Sequence, residues 1–391
     1  LQDRKTDTTQ GVKNNMKKQL TTNQACMLLA VCFISTKFQR LPALLAEDFG
    51  RDSWIVFAFL VAIDFLIAII YINLLTKLKD ITLFELLEKH IGKIGKSIVC
   101  VLLILLFLSK TIITYKGTHE FFANVLFDKL PWKYFSVLMI ILLLMMVFGG
   151  LNSLGRSAEL YSFVIGFGIF ASLLLGFVNV DFSNCLPILD CDLGEYAKNF
   201  LKYQPWIGDF MVIPMLFGNV KITKSPKLKL SLAYASTAAI AVIEILFFYG
   251  INEYLSDYQA NALSAITQYS LIGLGIGRPD WFLVLFVFIS KILACGFYVY
   301  TYTKCISEIF NVDKNYIIEF VSVVSIYFIE YFIFKNLDNA SNYFRNVICY
   351  IMFAINCVIL TLLLVLVTIE MKKSKNKRLP VKVYYKSRCE I

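Results

Sequence analysis

Long apolar stretches are the feature that most limits what this chain can fold into. Ten of them, each close to the roughly 20 residues that a helix needs to cross a bilayer, are separated by shorter polar segments. Backbone groups in lipid must be satisfied within their own segment, so each stretch is predicted to be an α-helix rather than a β-barrel strand. The predicted spans are residues 22–46, 53–75, 97–122, 134–150, 158–180, 205–221, 229–252, 281–307, 315–335 and 343–370.

The composition supports this fold class. Hydrophobic residues make up 58% of the chain and charged residues 17%, which is more apolar than a soluble domain of this size can bury. We therefore predict an all-α polytopic membrane protein with one transmembrane domain over residues 21–371. Residues 1–20 are predicted to form a cytoplasmic N-terminal tail, and residues 372–391 a basic cytoplasmic C-terminal tail.

The net charge of +10 would point to nucleic acid in a soluble protein, but here the basic residues lie in loops and tails. Lys and Arg are concentrated before span one, in residues 76–96 and 221–229, and after span ten. The positive-inside rule therefore places both termini in the cytoplasm. An even number of spans agrees with that orientation.

Two spans contain residues that a lipid-facing helix does not tolerate. Span one carries Lys37 and Arg40 just before Pro42, and a charge near a helix centre costs roughly 2.5–3.5 kcal/mol. Span six carries Gly208 and Asp209, together with further Gly and Pro residues. We predict that both helices are broken, in span one near residues 35–40, although Pro and Gly also occur in helices that only kink.

Spans one and six are five apart and run in opposite directions, as expected for a five-plus-five inverted repeat with paired broken helices. In such a repeat, the free N–H groups of a half-helix suit a solute carboxylate, and free C=O groups suit a cation. A cation at Lys37 would favour an anionic group or be neutralised internally by Asp64 or Asp209. The predicted solute-binding residues are Ser35, Thr36, Lys37, Gly208, Asp209 and Phe210.

Other charged residues lie inside predicted spans, and such residues usually face the interior of the bundle and pair. They include Asp64, Lys110, Glu244 and Lys291. Lys291, near the middle of span eight, is the strongest candidate for an internal cation. We assign Asp64 and Lys291 to ion or proton coupling or to an internal ion pair, and a purely structural pair is the alternative.

Aromatic residues follow Lys291 at positions 297, 298, 300 and 302. An aromatic belt at the membrane interface is the favoured interpretation, and a stacking wall inside a pocket is the alternative.

Signatures of enzymes are missing from the sequence. It contains no P-loop, no HExxH and no G-x-S-x-G motif, and its two histidines lie at or outside span ends. We therefore predict no catalytic residues, no cofactor and no metal site, and any transport would be secondary rather than driven by ATP.

Short polar segments along the chain resemble those of the spore germination permease family, the B-type subunit of nutrient germinant receptors. The matching segments are Lys17-Lys18-Gln19-Leu20-Thr21, Leu41-Pro42, Gly50-Arg51-Asp52-Ser53-Trp54, Gly150 with Arg156-Ser157-Ala158-Glu159, Tyr203 with Gly208-Asp209 and Pro214, and Gly277-Arg278-Pro279-Asp280-Trp281 with Lys291, Tyr298 and Tyr300. They occur in the family's order from about residue 17 to 370. One departure is Ser35-Thr36-Lys37, which stands where the family usually has a glycine-rich break.

The resemblance implies a fold of the amino acid–polyamine–organocation transporters. It also implies a subunit of the spore inner membrane that senses a small nutrient such as an amino acid and triggers germination. Its expected partners are an A-type membrane subunit and a C-type lipoprotein subunit, with no nucleic acid. The alternatives are a secondary amino acid transporter, coupled to ions or protons, and a structural membrane partner with a vestigial pocket.

Overall fold

The described part of the chain is almost entirely helical, as predicted. A computed structural model describes residues 19–38, 40–78, 81–122, 132–189, 194, 196, 199–222, 225–259, 262–268, 280–312, 315–333 and 343–377.

The α-helices are α1 (Thr22–Lys37), α2 (Leu41–Phe49), α3 (Ser53–Lys77), α4 (Leu83–Phe121), α5 (Trp132–Phe177), α6 (Val212–Met215), α7 (Pro226–Asn252), α8 (Ala262–Gln268), α9 (Asp280–Phe310), α10 (Tyr316–Ile333) and α11 (Cys349–Lys377). Short 3₁₀ helices cover Gly50–Asp52, Phe182–Cys185, Phe200–Tyr203, Asp209–Met211 and Glu253–Tyr258, and a π-helical turn, Phe344–Ile348, leads into α11.

By length and composition, five helical segments among the described residues can cross a membrane: Leu41–Lys77, Leu83–Glu120, Tyr134–Phe177, Pro226–Tyr258 and Phe344–Lys372. They establish a polytopic helical membrane protein. The number of ten spans and the inverted repeat stay predictions.

Glycines bend the two longest helices. Gly92 in α4 and Gly150 in α5 have φ of 72° and 71°, a left-handed conformation that residues with a Cβ rarely adopt. The prediction of a loop between residues 150 and 158 is wrong, because α5 continues through that segment after the bend at Gly150. The sharp turn at one glycine replaces a longer connection.

Helix α1 lies at the centre of the bundle. Most of its side chains are buried, and it packs against α5, α7 and α9. Helix α5 lies at the periphery, where Phe163 and Phe170 are 80% and 65% exposed. Large apolar side chains exposed in this way on a long apolar helix are suited to contact with lipid.

A two-stranded parallel sheet ties the start of α1 to the end of the predicted span six. Its strands are β1 (Leu20–Thr21) and β2 (Val220–Lys221). The Gln19 side chain donates a hydrogen bond to Gly218 O at 3.2 Å, and the Thr22 hydroxyl donates to Lys221 O at 3.0 Å. These bonds hold the two interrupted segments side by side at one end of the bundle.

Glu244 of α7 is fully buried, and neither of its carboxyl oxygens has a hydrogen-bond partner among the described residues. A buried polar group without a partner costs about 1–3 kcal/mol. Glu244→Leu is therefore expected to raise the free energy of unfolding by about that amount, measured by denaturant titration of the purified chain. Unchanged or lower stability would contradict this.

Candidate functional site

The helical structure is interrupted at both predicted places, and the two interruptions lie next to each other. Helix α1 ends at Lys37 and α2 begins at Leu41, so residues 35–37 are still helical and the break follows them. The segment predicted as span six contains much less helix than expected: the 3₁₀ turn Asp209–Met211 and then the four residues of α6. Gly208, with φ of 81°, starts this segment in a left-handed conformation.

A buried ion pair joins the two breaks. The Lys37 ammonium at the end of α1 contacts Asp209 Oδ2, and neither side chain is exposed. The predicted internal neutralisation of Lys37 is therefore made by Asp209. Arg40, the second cation of the first break, points elsewhere and lies 3.5 Å from Glu120 of α4.

Lys110 of α4 contacts the same carboxylate from the other side. Its Nζ donates to Asp209 Oδ1 at 2.8 Å and to Ile207 O at 2.7 Å. Ile207 lies in the non-helical stretch before Gly208, so its carbonyl is free to accept a bond from a side chain. Asp209 thus lies between two ammonium groups.

Asp64 of α3 supplies the second buried carboxylate. Its Oδ1 accepts the Gly208 N–H at 2.9 Å, and the Tyr234 hydroxyl of α7 donates to its Oδ2. Lys37 and Lys110 are also the cations that act on Asp64. Two lysines and two aspartates therefore balance each other in formal charge, as buried charges must when water is excluded. We call Lys37, Lys110, Asp64 and Asp209 the charge cluster.

Hydroxyl and aromatic groups surround the charge cluster. Thr36 donates to Trp206 O at 3.3 Å and accepts from Lys37 Nζ at 3.2 Å, while Ser35 donates to Cys32 O in its own helix at 2.9 Å. Lys37 Nζ lies 4.3 Å from the centroid of the Phe33 ring, a cation–π contact.

Three of the four aromatic residues that follow Lys291 in α9 lie inside the bundle. The hydroxyl of Tyr298 is 3.4 Å from Asp209 Oδ1 and 3.3 Å from Cys32 O, and Phe297 and Tyr302 are buried. The preferred prediction of an interfacial belt is therefore wrong for these three. The alternative, an aromatic wall of a pocket, fits Tyr298.

Two other predicted site residues point elsewhere. Phe210 stacks on Tyr71 of α3 at a centroid distance of 5.7 Å and lines the cavity that reaches Asp64, but it does not contact the ion pairs of the charge cluster. Lys291 is buried in α9, but the groups that act on Asp64 are Lys37, Lys110, Tyr234 and Gly208. The carboxylate that acts on Lys291 is Glu120, and the assignment of Asp64 and Lys291 to coupling or to an internal ion pair stays a prediction.

Three members of the site were missing from the predicted set. In the sequence, Lys110 is a charged residue inside a predicted span, and such residues usually face the interior of the bundle and pair. That position could have assigned Lys110 to the site. Tyr234 and Tyr298 gave no such signal, because tyrosines are common at membrane interfaces.

In this conformation the described cavity at the site is small. The described cavity that reaches Asp64 is lined also by Gln204, Ile207, Phe210 and Asn356 and has a volume of about 70 Å³. Ligand pockets usually measure roughly 300–1,000 Å³. This cavity is too small for a solute of amino acid size, so binding there requires the residues that line it to rearrange.

Comparison with known proteins places the chain in a family. A family model described as "Spore germination protein" matches residues 19–340. The chain belongs to the spore germination protein family. The resemblance found in the short polar segments is thereby confirmed. No curated protein matches the full sequence at a significant level.

Solved structures of transporters share the fold of this spore germination protein. The manganese transporter of Eremococcus coleocola, in complex with an aromatic bis-isothiourea substituted compound, is 12% identical with a TM-score of 0.56, and the match covers 88% of this chain and 76% of the transporter. A Na⁺-coupled sialic acid symporter in its substrate-bound outward-open state is 14% identical with a TM-score of 0.55, over 81% and 75% of the two chains. At these identities the likeness shows the fold alone. Family and fold together indicate a permease-like membrane protein.

Proposed function

We propose that this chain is the membrane subunit of a spore nutrient receptor and that it recognises a small zwitterionic solute, such as an amino acid, at the charge cluster. The observation that carries the proposal is the balanced set of two buried lysines and two buried aspartates at the meeting point of two helix breaks. Membership of the spore germination protein family supports the receptor role.

Charge balance is the physical reason for a zwitterion. The carboxylate of an amino acid can replace Asp209 as acceptor for Lys37 and Lys110, which already bond that side chain. The solute's ammonium group can in turn donate to Asp209 or to the carbonyls of Trp206 and Ile207, which accept bonds from protein side chains in the closed site. The exchange adds no net charge to a region without water, whereas an anion or a cation alone would.

Signalling follows from closing and opening of this site. A ligand shifts a conformational equilibrium only by the difference in its affinity for the two states. Here the closed state satisfies its charges internally, and the open state needs the solute to satisfy them. The receptor role also requires partners, for which we propose the A-type membrane subunit and the C-type lipoprotein subunit, in the spore inner membrane with both termini cytoplasmic.

Binding of labelled L-alanine and a panel of other amino acids to the purified chain in nanodiscs tests the solute site. We expect saturable binding of at least one zwitterion, and much weaker binding of its amide and of its decarboxylated amine. Thr36→Ala is expected to weaken that binding about 3- to 30-fold, since the proposed site loses a hydroxyl that can bond the solute. Thr111→Ala is the matched control, because Thr111 bonds within its own helix.

Equal binding of the zwitterion, the amide and the amine would contradict the proposed solute class. Binding unchanged in Thr36→Ala would contradict the site.

A secondary amino acid transporter is the second candidate, favoured by the shared fold with a manganese transporter and a sialic acid symporter. Uptake into proteoliposomes that contain this chain alone separates the two functions. The receptor proposal predicts binding without accumulation, and robust accumulation of a labelled amino acid would replace it with the transporter.

A further inference from the structure

A second cavity lies away from the charge cluster, between the end of α2 and the end of α7. Its volume is about 360 Å³, within the range of pockets that hold small molecules. Helix α2 is nine residues long, so its far end lies roughly 13 Å from the break at Lys37. We call this cavity the α2–α7 pocket.

Carboxylates from α2 and from the 3₁₀ helix after α7 line the α2–α7 pocket, and the two sets differ in their hydrogen-bond partners. Glu47 and Asp48 of α2 accept bonds from Arg345 at 2.9 and 2.7 Å. The carboxylates of Glu253 and Asp257, on the 3₁₀ helix that follows α7, form no hydrogen bond or ion pair with any other described residue. Two negative charges at this wall are thus available to a ligand.

An unsatisfied hydroxyl lies on the same wall. Ser256, between the two free carboxylates, is 1% exposed, and its Oγ has no hydrogen-bond partner in the described part of the chain. Buried polar atoms without a partner are uncommon and costly in native structures, so each needs an explanation. A donor bound in the pocket would satisfy this oxygen.

The remaining wall is aromatic, and the cation among its described residues, Arg51, is hydrogen-bonded to other groups. Phe49, Tyr249 and Tyr254 line the cavity. Arg51 donates to Leu186 O and to the Tyr254 hydroxyl, both at 3.0 Å. Aromatic faces attract cations, and the more strongly when water is partly excluded.

We propose that the α2–α7 pocket binds an organic cation with a primary ammonium group and a small apolar body. The ammonium group donates to Glu253, Asp257 and Ser256, and the apolar body packs on the aromatic wall. A metal ion fits less well, because the described residues contain no group of three or more His, Cys, Asp or Glu side chains with the geometry of a metal site. The pocket is a separate site from the one in the proposed function.

The pocket also has a connection to the broken segment. Asp48 on its wall accepts a hydrogen bond from Tyr203 at 2.8 Å, and Tyr203 precedes the non-helical stretch that leads to Gly208 and Asp209. Helix α2 continues directly from the first break. A cation bound in the α2–α7 pocket would therefore contact the far end of α2, and the near end of α2 follows the break that contributes Lys37 to the charge cluster.

Calorimetric titration of the full chain in nanodiscs with benzylamine tests this proposal, with benzyl alcohol as the uncharged probe of the same size. We expect saturable binding of benzylamine that weakens as salt is raised, and no comparable binding of benzyl alcohol. The double variant Glu253→Gln/Asp257→Asn is expected to lower the affinity about tenfold to a hundredfold. Ser256→Ala is expected to lower it by a smaller factor.

Two controls separate the outcomes. Glu308→Gln removes one negative charge near the end of α9, away from this pocket, and is expected to leave benzylamine affinity unchanged. Thr36→Ala is expected to leave it unchanged as well, so loss of amino acid binding at the charge cluster and loss of benzylamine binding are independent results. Benzylamine affinity that is unaltered in the folded double variant, or equal affinity for the alcohol, would overturn the proposal.

Discussion

Replacing Asp209 by leucine is expected to lower the free energy of unfolding by about 3–5 kcal/mol, because it leaves buried charge without a partner. The side chain is the common partner of Lys37 and Lys110, and its loss leaves two buried ammonium groups with only the Asp64 carboxylate to balance them. Denaturation of the purified chain with increasing SDS, followed by tryptophan fluorescence, measures the change.

Two further variants make this result specific. Lys37→Met/Asp209→Leu removes one charge of each sign, leaves Lys110 with Asp64, and is expected to recover most of the lost stability. Lys89→Met breaks an ion pair with Glu370 in which the lysine is 49% exposed, and is expected to cost no more than about 1 kcal/mol. If Asp209→Leu cost as little as Lys89→Met, the charge cluster would not be a buried ionic centre.

Gly218→Ala is expected to cost about 2–4 kcal/mol, from a left-handed backbone and from overpacking. Its φ is +69°, and a Cβ there would lie 2.8 Å from Thr82 N and 2.9 Å from Ile81 C, which are backbone atoms that cannot move aside alone. Gly208→Ala also forces a left-handed residue, but its closest contact is the Asn356 amide at 3.1 Å, a side chain that can rotate. We expect a smaller loss of stability for Gly208→Ala, of about 1–2 kcal/mol.

Gly166→Ala is the matched control for both glycines. Gly166 lies in the part of α5 that follows the bend at Gly150, and no atom lies within 4 Å of the added Cβ. The higher helix propensity of alanine is therefore expected to raise the free energy of unfolding by up to about 1 kcal/mol. Thermal unfolding midpoints in detergent rank the three variants. A ranking in which Gly218→Ala is as stable as Gly166→Ala would contradict the close approach of the sixth segment to residues 81 and 82.

A closed, internally neutralised site is a reasonable starting state for a sensor. Opening it without a solute would separate Lys37 from Asp209 in a region that excludes water, and burial of unpaired charge is costly. In the proposed receptor, a zwitterion would remove that cost by supplying both charges. The same geometry serves a transporter, which is why accumulation in proteoliposomes rather than binding decides between the two functions.

The sequence alone predicted the fold class, the two breaks and several of the residues that meet there. Long apolar runs leave the backbone no alternative to helices in a bilayer. Lys37, Gly208 and Asp209 stood out because charges and helix breakers are costly in such runs unless they line an interior site. The polar segments between spans also carried the family resemblance, which the match over residues 19–340 confirmed.

Only the tertiary structure decided which of these residues pair and which face the interior. A buried charge requires a partner, but nothing along the chain says that Asp209 and not Asp64 contacts Lys37, or that Lys110 joins them and Lys291 does not. Spans that are apolar on every side give no sign of which face is turned to lipid and which to the bundle. For that reason the interior position of Tyr298, and the bond from Tyr234 to Asp64, follow from helix packing and not from the order of residues.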